Sequence, residues 1–142
     1  HETTIDDEDF GIASTRDENV ERFYASNNKK IKFLPICVDE KFPNLKVIRV
    51  QTCLVQKISS ANFKNLKKLE KLILGYNAIT SIEAGSFDDL TSLKELDLGD
   101  NQILSLPENI FEQLNELKEI YLGRIQLKLL PVYNFSRITK IW

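Results

Sequence analysis

Apolar residues recur at one fixed period along most of this chain, and this period restricts the possible folds more than any other feature. The repeat opens on Leu45, Leu69, Leu93 and Leu117, and Ile141 stands one period further on. Six more apolar columns share this register, at 3, 5, 10, 13, 18 and 21 residues after each opening position. Seven aligned columns in four units indicate a repeat architecture, in which each unit packs against its neighbours.

The spacing within a unit predicts its local structure. The apolar positions 3 and 5 flank an outward-facing residue with period two, which is the pattern of a short β-strand. Such a strand cannot bury its apolar side alone, so successive units must stack and pair their strands into a parallel sheet. We expect the remaining residues of each unit to return along the outside, with a column of phenylalanines packed beneath the turn.

A polar column follows each predicted strand. Eight residues after the opening position lie Asn77 and Asn101 in the central units, with Cys53 and Ile125 before and after them. An asparagine amide carries both donors and acceptors, so it can pair with backbone groups that the turn leaves free.

These columns resemble those of a known family. The units LEKLILGYNAITSIEAGSFDDL and LKELDLGDNQILSLPENIFEQL are similar to extracellular leucine-rich repeats of the typical 24-residue class. With FPNLKVIRV after a degenerate first unit, the chain most resembles secreted or receptor-borne leucine-rich-repeat proteins of arthropods. The resemblance implies an α/β solenoid, a right-handed superhelix with a parallel β-sheet on the concave face and loops or short helical turns on the convex face.

The repeat register divides the chain into units. In the first unit VERFYAS is the predicted strand, with Tyr24 and Ser26 in its inward columns and Phe23 and Ala25 facing outward. The cysteine cluster that often closes this end of family members is absent. The predicted units are a cap repeat at 21–44, repeats at 45–68, 69–92, 93–116 and 117–140, and the start of a further repeat at 141–142.

Residues 1–20 are predicted to be a separate acidic segment, either partly disordered or a capping hairpin. Their net charge is about −6, so the formal net charge of −2 leaves about +4 on the rest of the chain. A solvated terminus and a charged docking arm both remain open. Because the chain begins with His1 and contains no methionine, we expect it to be a piece of a longer precursor.

The outward strand positions combine aromatic groups with charges of both signs, which is typical of protein-binding hot spots. Strands favour aromatic and β-branched residues in any case, and this alternative stays open. The resemblance implies that ligands bind on the concave face. A column of Gly75, Gly99 and Gly123 either lets a partner approach the backbone or eases the turn. The predicted ligand-binding residues are Arg49, Lys71, Ile73, Tyr76, Glu95, Asp97, Asp100, Tyr121 and Arg124.

Several other function classes are disfavoured. His1 is the only histidine, so the chain lacks the residues for histidine-dependent catalysis, and we expect neither an enzyme nor a cofactor. The acidic residues of the predicted face indicate a patch for a basic partner more than a metal site. A nucleic-acid site would need a larger positive excess. No apolar run approaches the length of about 18 residues that a membrane-spanning helix needs.

The predicted function is extracellular recognition of a protein ligand or receptor partner, in innate immunity or within a larger receptor, by a secreted or otherwise extracellular protein. The alternative is a self-associating scaffold. A homodimer would then form through an open edge at Ile138, Ile141 and Trp142 or through a disulfide of Cys37.

Two further predictions concern the cysteines and a glycosylation site. Cys53 is predicted to be a buried thiol, and a Cys37–Cys53 disulfide would require the cap to bring the two residues within about 7 Å. Asn134 begins the sequence Asn-Phe-Ser, which is a predicted glycosylation site.

Overall fold

The computed structural model describes residues 2–4, 16–128 and 137–142, and the described part is a parallel β-solenoid. Its main sheet has seven strands, in the order β1-β2-β3-β5-β7-β8-β9. Every neighbouring pair is parallel, as the repeats predict. The strands are β1 Glu2–Thr4, β2 Arg22–Ser26, β3 Val47–Gln51, β5 Lys71–Ile73, β7 Glu95–Asp97, β8 Glu119–Tyr121 and β9 Lys140–Ile141.

The returning limbs contain little regular structure. A second parallel sheet pairs β4, Lys57–Ile58, with β6, Ser81–Ile82. One short helix, α1, spans Val38–Lys41. Turns and extended segments make up most of the described remainder, as expected for the convex side.

The predicted apolar columns form the core. In the units that open on Leu45, Leu69 and Leu93, all seven columns are buried except for the half-buried Phe111. The phenylalanine rings stack along the solenoid, with centroids 6.1 Å apart between Phe63 and Phe87 and 6.5 Å apart between Phe87 and Phe111. Four apolar residues after β8 are only partly buried but pack against the same core, namely Leu122, Ile125, Leu127 and Ile138.

The asparagine column pairs with the backbone, as predicted. The Asn101 side-chain nitrogen donates to the carbonyl oxygens of Leu74, Leu98 and Gly99 at 3.0–3.1 Å, and its oxygen accepts the Ile79 N–H at 3.0 Å. Asn77 repeats this pattern one unit earlier. These amides therefore satisfy backbone groups where the chain leaves the sheet.

The first unit contains one residue more than the predicted register allows. Phe23 pairs with Ile48, which lies one residue more than a full period after it. Further along the unit, Ile31 lies one full period before its equivalent Val55. The extra residue lies between these points, in the turn after β2, where Asn27 has φ 58° and the Asn28 side chain accepts the Lys30 N–H. The predicted outward orientation of the cap strand is therefore wrong. Phe23 and Ala25 are buried, and Arg22, Tyr24 and Ser26 face outward.

The last junction is shorter than predicted. Lys140 pairs with Glu119, although it stands less than one full period after that residue, so this repeat is shorter than the others. Ile141 pairs with Ile120 and is thus the second residue of a strand, not the opening residue of a unit. Its neighbour Trp142 continues the strand direction, donating its N–H to the Ile120 carbonyl and accepting the Leu122 N–H.

Candidate functional site

The concave face consists of the side chains that the strands of the main sheet direct away from the core. The strand registers align these residues in two rows that cross the sheet. The first row holds Arg22, Val47, Lys71, Glu95, Glu119 and Lys140. The second row holds Tyr24, Arg49, Ile73, Asp97 and Tyr121, with Trp142 beside Tyr121.

Ion pairs join strands in the half of the face nearer β9. The Lys71 ammonium lies 2.6 Å from the Glu95 carboxylate, and this hydrogen bond raises the pKa of Lys71. The Lys140 ammonium lies 3.1 Å from Glu119, and hydrogen bonds from Lys140 and Tyr121 lower the pKa of that carboxyl. Because these pairs are exposed to solvent, each contributes little to the stability of the fold. Their main effect is to fix the pattern of charge on this half of the face.

Asp97 lies at the centre of the face. Its carboxylate is half-buried and accepts the Gly99 N–H at 2.9 Å. Burial raises the pKa of Asp97, and the neighbouring Glu95 and Asp100 raise it further. A Cβ atom at Gly75 would lie 2.9 Å from an Asp97 oxygen, so the glycine leaves room for this carboxylate.

Replacing Asp97 with asparagine is expected to raise the melting temperature at neutral pH and to leave it unchanged near pH 3. Because the pKa of Asp97 in the folded protein lies above 3.8, the folded state binds this proton more tightly than the unfolded state. Stability is therefore lost as the pH rises through that range, and asparagine avoids the loss while still accepting the Gly99 N–H. Thermal melts at both pH values measure the difference. The exposed Asp88 provides a control variant, Asp88→Asn, and an equal gain there would contradict a specific effect of Asp97.

The concave face also carries stacked aromatic rings. The rings of Tyr121 and Trp142 are parallel within 6°, with centroids 5.9 Å apart, and Trp142 is 62% exposed. Tyr24, Lys140 and Trp142 were not predicted on this face, because the strict 24-residue period misplaces both ends of the sheet. The asparagine and lysine residues of the turn SNNKK are the sequence feature that indicates a longer first unit.

A column of left-handed backbone follows the strands. Asn27, Thr52, Tyr76, Asp100 and Arg124 have φ between 51° and 58°, and they occupy equivalent positions in successive units. Asparagine and aspartate tolerate this conformation, whereas a tyrosine there is a genuine outlier. Tyr76 is nonetheless 55% exposed, so its ring stands free at the margin of the concave face. Arg124 lies 3.4 Å from Asp100 and forms the third ion pair of this region.

The predicted site residues are thus on one face, with one correction. Ile73 was expected to be exposed, but it is only 3% exposed. It lies between Arg49 and Asp97 in the second row, outside the hydrophobic core of the solenoid. Ile73 therefore forms part of the floor of the face.

The remaining predicted residues lie elsewhere. Cys37 is exposed and Cys53 is buried, and the possible disulfide between them is not formed. Asn134 lies outside the described residues. Within the described ranges, no group of three or more histidine, cysteine, aspartate and glutamate side chains is arranged to hold a metal ion.

Comparison with known proteins finds a matching family model and solved chains of similar fold. The leucine rich repeat family model matches residues 43–103. A chain of the TLR13–ssRNA13 complex is 25% identical, with a TM-score of 0.73 over 85% of this chain and 18% of that chain. A chain of the Toll–Spatzle complex from Drosophila is 21% identical, with a TM-score of 0.71 over 87% of this chain and 20% of that chain. No curated protein matches the sequence.

The fold and the face together define a repeat protein whose parallel sheet carries rows of outward side chains on its concave face. Residues 43–103 are similar to the leucine rich repeat family, and the described fold matches a leucine-rich-repeat fold, as the apolar columns predict. The chain spans about a fifth of the length of the two solved chains. In the part of the chain that the structure describes, no helix has the length and apolar character needed to cross a membrane.

Proposed function

We propose that this chain is an extracellular or receptor-borne recognition module that binds a protein ligand on its concave face. The observation that carries this proposal is Tyr76, a largely exposed aromatic side chain on a backbone conformation unfavourable for tyrosine. Exposed aromatics beside arginine and carboxylates are the usual anchors of protein interfaces.

The charge pattern supports a protein ligand over a nucleic acid. Four carboxylates, those of Glu95, Asp97, Asp100 and Glu119, lie on or beside β7 and β8. A polyanion laid across the sheet would meet all of them, which opposes the release of counterions on which nucleic-acid affinity depends. The mixed ion pairs instead suit a protein surface with complementary charges.

The fold relatives support a role in immune or developmental recognition. Among the solved chains of similar fold, one belongs to a complex with single-stranded RNA and one to a complex of Toll with Spatzle, described as a hub in development and innate immunity. The proposal also includes secretion, glycosylation at the Asn134 sequon and a protein partner. Self-association through Cys37 stays a prediction, favoured by the exposure of this thiol.

Replacing Tyr76 with asparagine is expected to weaken ligand binding at least about tenfold while leaving the free energy of unfolding equal or higher. Asparagine accepts the left-handed conformation, so the variant removes the ring without adding strain. The measurement is capture of a partner from extracellular fluid of the source organism, followed by titration of the captured partner against each variant.

Thr52→Asn is the matched control, because Thr52 occupies the same column with φ 55° and has no aromatic ring. It should show the same change in stability with unchanged binding. Equal binding by the wild-type chain and the Tyr76→Asn variant would sink the proposal that this face anchors the ligand through Tyr76.

A further inference from the structure

A groove lies on the convex side of the first three units, away from the concave face. Its volume is about 410 Å³, and the buried side chains of Leu34 and Ile58 lie in its floor. Phe33 and Ile36 of the first unit line it and are 64% and 53% exposed. Residues of β4 and β6 line it on the side of the later units. Two large exposed apolar side chains therefore stand beside an open groove.

A buried asparagine fixes the walls of this groove. The Asn62 side-chain nitrogen donates to the carbonyl oxygens of Leu34 and Pro35 at 3.1 Å each. Its oxygen accepts the Ser59 N–H at 2.7 Å. Asn62 therefore joins the limb that carries Phe33 to the turn after β4. Because the groove is held in place in this way, few of its groups need to be ordered when a partner binds.

Charges of opposite sign border the groove. Lys57 lies on β4 and Glu83 lies just after β6, and both are exposed. The Glu83 carboxylate accepts the Ser60 N–H at 3.0 Å. Among the ion pairs of the described residues, none joins Lys57 to Glu83. A groove bordered by one cation and one carboxylate complements a copy of itself, because the copy presents the same two charges in exchanged positions.

We propose that this groove is the contact surface between two copies of the chain. In a two-fold symmetric contact the same patch lies on both copies, so the patch must contain both the projecting and the receiving parts. Phe33 and Ile36 project, and the groove beside them receives the same residues of the second copy. Lys57 of each copy then meets Glu83 of the other copy.

This contact goes beyond the proposed recognition of a ligand. The groove lies on the returning limbs, so a dimer formed through it leaves the strands of the main sheet free. It also differs from a Cys37 disulfide. The exposed Cys37 follows Ile36 at the start of α1, but burial of apolar surface stabilises the proposed contact, and no covalent bond is needed.

Sedimentation equilibrium of the whole chain in a thiol reductant tests the contact, at protein concentrations from about 1 µM to about 300 µM. Because one groove makes a small interface, we expect a reversible dimer with a dissociation constant in the micromolar range. The Phe33→Ser/Ile36→Ser variant should raise this constant at least about tenfold, since each change acts twice in a symmetric interface. Leu104→Ser is the control, because Leu104 is an exposed leucine outside the groove, and it should change the constant less than about twofold.

Exchange of the two bordering charges tests the two-fold arrangement. Lys57→Glu or Glu83→Lys alone places like charges opposite each other at two sites and should raise the dissociation constant at least about tenfold. An equimolar mixture of these two variants should restore the dimer, because each introduced charge then meets its opposite on the other copy. Melting temperatures equal to that of the wild-type chain show that the variants remain folded.

A wild-type chain that is monomeric at every concentration would overturn the inference. So would a dimer that persists in Phe33→Ser/Ile36→Ser, a dimer that is lost in Cys37→Ser, or a mixture of the two charge variants that stays monomeric. If the chain is monomeric and Phe33→Ser/Ile36→Ser abolishes binding of the captured partner, the groove binds that partner and not a second copy.

The Tyr76→Asn variant separates this inference from the proposed function. It should dimerise like the wild-type chain while binding the captured partner more weakly. If it dimerises and also binds the partner normally, the role of Tyr76 fails and the groove contact stands. If the wild-type chain is monomeric and only ligand binding depends on Tyr76, the recognition function stands and the groove contact fails.

Discussion

Replacing Phe87 with alanine is expected to lower the free energy of unfolding by about 4 kcal/mol. Phe87 is fully buried, and its ring lies between those of Phe63 and Phe111. Alanine removes most of the buried apolar surface of this residue and leaves a cavity that the neighbouring units can fill only in part. The loss also weakens the stacking of three successive units, because each unit in a solenoid is stabilised by its neighbours.

Urea denaturation followed by circular dichroism measures this effect, and an unchanged m-value confirms that the variant still unfolds in one transition. The matched control is Phe111→Ala, at the equivalent position one unit later, where the ring is half-buried. That variant should lose about 2 kcal/mol, because less apolar surface is withdrawn from water there. Equal losses at Phe87 and Phe111 would contradict the view that burial, and not position in the repeat, determines the cost.

The apolar columns predict the middle of this solenoid well. From Leu45 to Leu114 the 24-residue register assigns the inward residues of β3, β5 and β7 correctly, because each column must fill the space left by its neighbours. The same constraint makes the asparagine column predictable. A polar side chain repeated beside a buried strand end needs partners, and the backbone is the nearest source of them.

The ends of the solenoid are less predictable, because one side of each end unit lacks a neighbour of the same length. A one-residue insertion in the turn after β2 reverses the faces of the cap strand, since side chains alternate with period two. The predicted exposure of Phe23 and Ala25 fails for this reason. At the other end, the shortened repeat between β8 and β9 moves Lys140 onto the concave face.

The candidate site is only partly predictable even where the register is correct. The pattern predicts which residues face outward, but Ile73 is buried although it stands in an outward row, between Arg49 and Asp97. Cross-strand contacts of this kind depend on side-chain length and direction, which an alternating pattern does not contain. The left-handed conformation of Tyr76 is also hidden in the sequence, because tyrosine is not a residue that normally marks positive φ.

Replacing Asn101 with alanine is expected to cost about 4 kcal/mol of unfolding free energy, although the change removes little apolar surface. The side chain is 4% exposed and makes four hydrogen bonds to the backbone of two units. Alanine leaves one N–H and several carbonyl groups without these partners in a region where water has little access. Asn77→Ala is the matched control, because Asn77 makes the same bonds but is half-buried, and it should lose about 2 kcal/mol.

The substitution Asn101→Asp tests the hydrogen bonds that the Asn101 amide donates separately from the one that it accepts. Aspartate keeps an oxygen for the Ile79 N–H, but its second oxygen would face the three carbonyl oxygens that now accept from the amide. The carboxylate is repelled by the partial negative charge of these carbonyl oxygens, and the carbonyls lose their donor in a buried site. This variant should therefore be at least as unstable at neutral pH as Asn101→Ala. Urea denaturation of the three variants measures the order. If Asn101→Asp is as stable as the wild-type chain, the donated bonds contribute little, and the column stabilises the turn through its accepted hydrogen bond alone.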